Sequence, residues 1–267
     1  MKRSGIITLT TDFGVRDPYV ASVKGVILGV HSMAVLVDVT HEIPAGDVAA
    51  AADVIQEAAP CFPGGTVHLA VVDPGVGGER RAVAAEAGGH LFVGPDNGIF
   101  WPMLKEDPEF RVFHLRNERF FREEVSSTFH GRDIFAPVAA HLVAGREPSE
   151  MGEAVADPVE LEEASPVFCE SGLTGRVIRV DRFGNLITNI RREHLKEFAD
   201  SGRPVIEVGG LTVEGIRSRY EEVDLGEALA LIGSTGRLEV SVNRGRASDR
   251  AGLGDQSAVR SVVRVRF

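Results

Sequence analysis

Residues 5–14 read Gly-Ile-Ile-Thr-Leu-Thr-Thr-Asp-Phe-Gly, and this stretch sets the architecture of the first half of the chain. Its first six residues are short, apolar and β-branched, the composition of a buried strand. Helical spacing follows over 19–30, then a second strand over 34–39. An alanine-rich helix over 47–59, with Asp47 as its N-cap, leads to a third strand over 66–72. This β-α-β-α-β order predicts a mostly parallel sheet flanked by helices, an α/β fold.

Further along, residues 82–87 and 90–93, split by Gly88-Gly89, predict a hairpin or two short strands. Residues 111–114 predict another strand and 133–144 another helix. The stretch 157–166 is acidic and bracketed by prolines. The expected division is an N-terminal α/β domain at 1–156, a linker at 157–168 and a second domain at 169–267. That second domain has strand-like runs at 172–180, 186–190, 205–208, 228–232, 237–242 and 261–267, with one helix at 192–199. Such a pattern predicts a small C-terminal β-barrel.

The totals narrow the class. A chain of 267 residues, 43% hydrophobic and 25% charged, fits a globular protein with real cores. No apolar run approaches the roughly 18 residues of a membrane span, and Met1-Lys2-Arg3-Ser4 leads into the first strand without a signal-peptide pattern. A cytoplasmic protein with no membrane partner is expected. The net charge of −10 argues against nucleic acid as a partner. Residues 1–170 hold 13 Lys+Arg and 26 Asp+Glu, a balance of −13; residues 171–267 hold 16 and 13, a balance of +3. This contrast fits either domain surfaces that attract or compositional drift. Cys61 and Cys169 belong to no CxxC pair and read as ordinary reduced cysteines.

Three segments of the first domain and one of the second carry candidate chemistry. Thr10-Thr11-Asp12-Phe13-Gly14 follows the first strand and Asp73-Pro74-Gly75-Val76-Gly77-Gly78 the third. Ligands of open α/β sheets sit beyond the carboxyl ends of strands, so Asp12 and Asp73 are expected to face one crevice. A carboxylate there suits a vicinal diol, or it orients a reacting group; either Asp alone is also compatible with capping a turn. The Asp73 loop is neither a P-loop nor GxGxxG. Arg80 and Arg81 lie a few residues beyond, and either is placed to reach back over it; each alone is also compatible with a solvated surface arginine. The third segment is Thr128-Phe129-His130-Gly131-Arg132-Asp133-Ile134-Phe135-Ala136-Pro137. His130 is compatible with a general base, a metal ligand or a hydrogen-bonded core histidine. Asp17 is compatible with a helix cap or an ammonium-binding group. In the second domain, Asp181-Arg182-Phe183-Gly184-Asn185 reads as a tight turn that also offers a carboxylate, an aromatic face and an amide.

Together with Gly94-Pro95-Asp96-Asn97-Gly98 and the continuation to Ile190, these motifs in this order resemble the S-adenosyl-L-methionine (SAM) hydroxide adenosyltransferases, or SAM hydrolases. These enzymes are relatives of the SAM-dependent fluorinase and chlorinase. The resemblance spans nearly the whole chain. It implies SAM plus water giving adenosine and L-methionine, with no metal and no cofactor. It also implies a homotrimer whose sites lie between the N-terminal domain of one subunit and the C-terminal domain of the next. By motif position, Asp73, Arg80 and His130 would hold the water or hydroxide, and Asp12 the ribose diol. Asp17, Asp181 and Ser234 match groups around the methionine amino and carboxylate ends. Phe183 and Asn185 match binding positions, and Tyr220 matches an aromatic stacked on adenine. The halogenating relatives carry different residues where this chain has Asp73 and His130, and an extra N-terminal-domain loop not found in this sequence, so the resemblance implies water rather than halide as nucleophile. Where relatives place a large aromatic after Pro44, this chain has Ala45-Gly46; Phe13 is a candidate to compensate. Two other readings stay open: a metal-dependent nucleoside hydrolase with Asp12, Asp17 and Asp73 as ligands, and a non-catalytic SAM- or adenosine-binding module.

Overall fold

The computed structural model describes residues 1–162, 165–198 and 202–267. It divides into two compact units, Met1–Glu162 and Glu163–Phe267. Part of the expected linker (Glu163, Ala164) and the last residue of the helix expected at 192–199 (Ala199) lie outside the described residues. Among the described residues, no helix is long and apolar enough to cross a membrane.

The first unit is a three-layer sandwich. Its sheet contains β1 (Ile6–Thr11), β2 (Val35–Thr40), β3 (Val67–Val71), β4 (Ala82–Ala87), β5 (His90–Pro95), β6 (Arg111–Leu115) and β7 (Gly152–Val155) in the order β2-β1-β3-β5-β4-β6-β7. The β2-β1-β3-β5 half is parallel. The turn at Gly88-Gly89 reverses the chain, and the β5-β4-β6-β7 half is antiparallel. β3, β4 and β5 are buried throughout, which explains their continuous apolar runs.

Period-two alternation sends Ile7, Leu9, Leu69 and Val93 to one face, against α1 (Tyr19–Val30) and Phe135. Ala70, Val72 and Phe92 face the other way, against Ile55 of α2 (Val48–Ala58) and Met103 of α3 (Trp101–Leu104). Asp47 caps α2 as expected, accepting from Ala50 N at 3.0 Å.

The helix expected at 133–144 is not regular at its start. Gly131–Phe135 forms a π-type turn before α4 (Ala136–Val143). The cause is Pro137, which has no N–H to give the carbonyl four residues back. That carbonyl, on Asp133, instead accepts from Arg122 N at 2.9 Å.

In the second unit, β8 (Val167–Cys169) pairs with β9 (Gly172–Val180) beside a longer path. That path also includes β10 (Leu186–Arg191), β11 (Val205–Val208), β12 (Leu211–Glu214), β13 (Ile216–Arg217), β14 (Ala228–Ile232), β15 (Arg237–Val242) and β16 (Val262–Arg266). β12 lies beside β14, nearly closing a barrel around Leu173, Val177, Leu186, Ile206, Leu238, Val240 and Val263. The short helix α5 (Arg192–Lys196) follows β10. Strands β7, β8, β12 and β13 fall outside the predicted runs; all are four residues or shorter, and the first two are largely polar or exposed.

Candidate functional site

The carboxyl ends of β1 and β3 open into a cleft of about 350 Å³ within the first unit. Asp12, Phe13, Gly46, Asp73, Thr128 and His130 are among the residues lining it. Asp12 and Asp73 therefore face one crevice. Asp12 Oδ2 accepts from Gly46 N at 2.9 Å, which leaves its other oxygen available to a ligand hydroxyl.

Asp73, Arg80 and His130 form one hydrogen-bonded chain. Arg80 Nε donates to both carboxylate oxygens of Asp73 at 3.0 Å, and Arg80 Nη2 adds a short bond to Oδ2. The same Nη2 donates to His130 Nδ1 at 2.8 Å. The guanidinium lies over the Phe135 ring, 5.3 Å from its centroid. A guanidinium has only donors, so His130 Nδ1 is the acceptor. The ring is therefore neutral, with its proton on Nε2. Its pKa is pushed below the usual 6.5, first by burial and then by the Arg80 cation, which outweigh the opposing pull of Asp73 and Asp133.

Two neighbouring loops hold this arrangement. Asp133 is fully buried and accepts from Arg132 Nε at 2.7 Å, Arg122 Nη1 at 2.9 Å and Ser126 N at 2.9 Å. Burial alone would raise its pKa; these donors prevail, and the net shift is downward. The segment fixed by Ser126 packs on the Asp73 loop at Gly77, where φ is +76° and a Cβ would stand 2.2 Å from Ser127 O. Only glycine fits there. Gly131 also permits close approach, since a Cβ would sit 3.2 Å from Phe13 Cζ. Phe13 packs edge-on against Tyr19 and Phe129, and Phe13 and Phe129 line the cleft together with Ala45 and Gly46.

Other residues singled out from sequence lie elsewhere. Asp17 is exposed and is not among the cleft-lining residues; it does not cap α1, whose cap position is Pro18 with no side-chain bond. Asp12, Asp17 and Asp73 thus do not converge as a ligand set, and Asp73 gives both oxygens to Arg80. Among the described residues, no three His, Cys, Asp or Glu side chains gather to hold a metal.

In the second unit, Asp181 shapes the β9–β10 turn. Its Oδ1 accepts from Phe183 N and Asn185 N, and its Oδ2 from Asn185 Nδ2, each at 2.9 Å. This turn buries Asn185 and leaves Phe183 74% exposed. Ser234 sits exposed in the turn between β14 and β15.

Tyr220 donates its hydroxyl to Glu239 Oε1 at 2.5 Å, and Ser241 donates to the same oxygen at 2.7 Å. Burial, then the Glu239 bond, push the Tyr220 pKa up to about 12. Glu239 escaped the sequence reading. Its signal was the polar row Arg237, Glu239 and Ser241 at alternate positions of β15, all buried.

A model of the SAM hydroxide adenosyltransferase N-terminal domain matches residues 7–152, and one of the C-terminal domain matches 175–260. An (R)-S-adenosyl-L-methionine hydrolase of Thermus thermophilus is 43% identical over 94% of this chain and 96% of its own. A conserved protein of Thermotoga maritima has a crystal structure that superposes with a TM-score of 0.90 at 34% identity, covering 98% of this chain and 100% of that one. A fluorinase of Nocardia brasiliensis is more distant, 26% identical over 90% of this chain and 91% of its own. With both domain models matched over most of its length, the chain belongs to the SAM hydroxide adenosyltransferase family.

Proposed function

We propose that the protein hydrolyses S-adenosyl-L-methionine, in its (R)-sulfonium form, to adenosine and L-methionine. The single observation that carries this is the Arg80-centred chain from Asp73 to His130, set in a cleft with Asp12. The relatives named as (R)-S-adenosyl-L-methionine hydrolases support the substrate.

The chemistry suits these groups. Attack at C5′ releases a neutral thioether, so no general acid is needed. The difficulty lies in the nucleophile, since bulk water has a pKa of about 15.7. Arg80 supplies fixed positive charge beside the water. The tautomer divides the remaining roles: His130 presents Nε2–H as a donor to the water oxygen, while Asp73 Oδ1, which accepts only one bond from Arg80, keeps a lone pair to receive the water proton. Asp12 takes the ribose diol. A hydroxide about 4 Å from the sulfonium gains roughly 4 kcal/mol at an effective dielectric near 20. In-line alignment contributes up to ~7–11 kcal/mol in favourable cases, so geometry outranks proton abstraction.

Within this reading Asp17, Asp181 and Ser234 serve the methionine ends, Phe183 and Asn185 bind the substrate, and Tyr220 stacks on the adenine. The reaction uses no metal and no cofactor, and the enzyme is a cytoplasmic homotrimer with no nucleic-acid partner. Incubation with SAM in H₂¹⁸O tests the function. Adenosine carrying ¹⁸O at the 5′ oxygen is expected, at an unchanged rate in EDTA. Absence of adenosine on long incubation sinks the proposal, and loss of activity in EDTA sinks its metal-free part.

A further inference from the structure

The motif Gly94-Pro95-Asp96-Asn97-Gly98 lines no part of the cleft with its polar side chains, yet the topology puts it in a telling place. β5 lies between β3 and β4 in the sheet. It runs parallel to β3 and antiparallel to β4, so the end of β5, the end of β3 and the start of β4 share one edge. Asp73 leaves β3 at that edge, and Arg80 approaches β4 there. Asp96 and Asn97 emerge from β5 between them.

Each reaches one neighbour. Asn97 Nδ2 donates to the carbonyl of Val72, the residue before Asp73, at 2.9 Å. Asn97 Oδ1 accepts from Ile99 N at 3.3 Å, which orients the amide. Asp96 Oδ2 accepts from Nε of Arg81, the residue after Arg80, at 2.7 Å, and Asp96 N donates to Arg81 O at 2.9 Å. Asp96 Oδ1 is taken by Val159 N at 2.9 Å, so its carboxylate cannot swing towards the cleft. Arg81 is further held by Asp157 Oδ1 at 2.8 Å. The Asn97 side chain thus pins the backbone just before Asp73, while Asp96 holds Arg81, the residue after Arg80, by its backbone N–H and by its carboxylate.

We infer that Asn97 and Asp96 are positioning residues that set the separation and alignment of Asp73 and Arg80. The inference rests on the proposed role of that pair. Its physical basis is the sensitivity of in-line displacement to misplacement: about 1 Å of error from a remote change costs roughly a hundredfold in rate.

The test compares Asn97→Ala and Asp96→Asn with Asp73→Asn in the full chain, by adenosine release over a range of SAM concentrations. Thermal unfolding is followed alongside, with Leu142→Val, a core residue outside the cleft, as the stability control. Expected for Asn97→Ala is a kcat about ten- to a hundredfold lower with KM within about threefold, and for Asp96→Asn a smaller drop in kcat. Leu142→Val is expected to melt earlier and keep its kcat. The inference is overturned if Asn97→Ala turns over within about twofold of the parent, or if its loss of kcat merely tracks its loss of stability along the Leu142→Val line. Should Asn97→Ala not fold, Asp96→Asn is judged by the same two criteria. If Asp73→Asn also turns over normally, the catalytic reading falls instead; if Asp73→Asn is inactive and the motif variants are normal, only the positioning role falls.

Discussion

His130, half-buried, and His68, fully buried, are two imidazoles with the same direction of pKa shift and the same first cause, burial. Their surroundings differ. His68 Nδ1 meets Thr8 Oγ1 at 2.8 Å, and its Nε2 meets His90 Nδ1 at 3.1 Å. Its ring packs among Phe62, Phe92 and His90, 3% exposed. Among the described residues, no carboxylate or guanidinium bonds it. His130 borders a cleft and bonds a guanidinium that is itself paired with a carboxylate. A depressed histidine pKa therefore identifies neither as functional. Access to solvent space and a charged partner with spare bonding capacity separate the group that can act on a ligand from the one that ties strands together.

The sharpest break of this comparison removes the charged partner. Arg80→Ala is expected to lower SAM turnover by about a thousandfold, roughly 4 kcal/mol, because the fixed cation beside the water disappears. The same change removes one cause of the His130 shift, so the His130 titration followed by NMR should move up towards 6.5. In the parent, the acid limb of turnover should lie below 6.5, where protonation of Nδ1 sets two donors against each other. If Arg80→Ala and His130→Ala both stay within about threefold of the parent, His130 belongs with His68 and the distinction fails.

The buried pair should announce itself through stability. Unfolded, His68 titrates near 6.5; folded, it titrates at about 3. Between these values the unfolded chain binds the extra proton. Stability is therefore complete above about pH 6.5 and falls steadily as the pH drops towards 3. At pH 5 the loss from His68 alone is about 2 kcal/mol, and His90, also shifted downward by burial, adds to it. Urea unfolding at pH 7 and pH 5 measures the difference, and His68→Leu should shrink it. An undiminished pH dependence in His68→Leu would place the acid sensitivity elsewhere, with His90 and His141, both shifted downward by burial, the next candidates.

Sequence carried much of this contrast, though unevenly. The parallel half of the first sheet followed from apolar runs and helical spacing, and Asp12 and Asp73 could be sent to one cleft because strand order fixes which ends meet. The π-type turn was hidden, although Pro137 stood in plain view, because its effect depends on Arg122 arriving to take the freed carbonyl of Asp133. His68 is a lone histidine in an apolar strand and carries no sequence signal; only the register of β1, β3 and β5 sets Thr8 and His90 on either side of it. The His130 tautomer was equally beyond reach, since it follows from which arginine nitrogen faces which ring nitrogen.

The mildest change tests the far end of the buried chain. Thr8→Val preserves shape and removes the hydroxyl that meets His68 Nδ1. The two consistent proton arrangements run in opposite directions. In one, Thr8 O–H donates to Nδ1 and His68 Nε2–H donates to His90. In the other, His90 Nδ1–H donates to His68, whose own Nδ1–H donates to Thr8. Valine leaves Nδ1 buried without its partner in both, at a cost of about 1–3 kcal/mol. Near-UV circular dichroism on urea titration at pH 7 should register that loss. SAM turnover should stay at the parent value, because nothing in the Thr8–His68–His90 chain touches Asp73, Arg80 or His130. A variant that keeps its stability and loses turnover would reverse the two assignments.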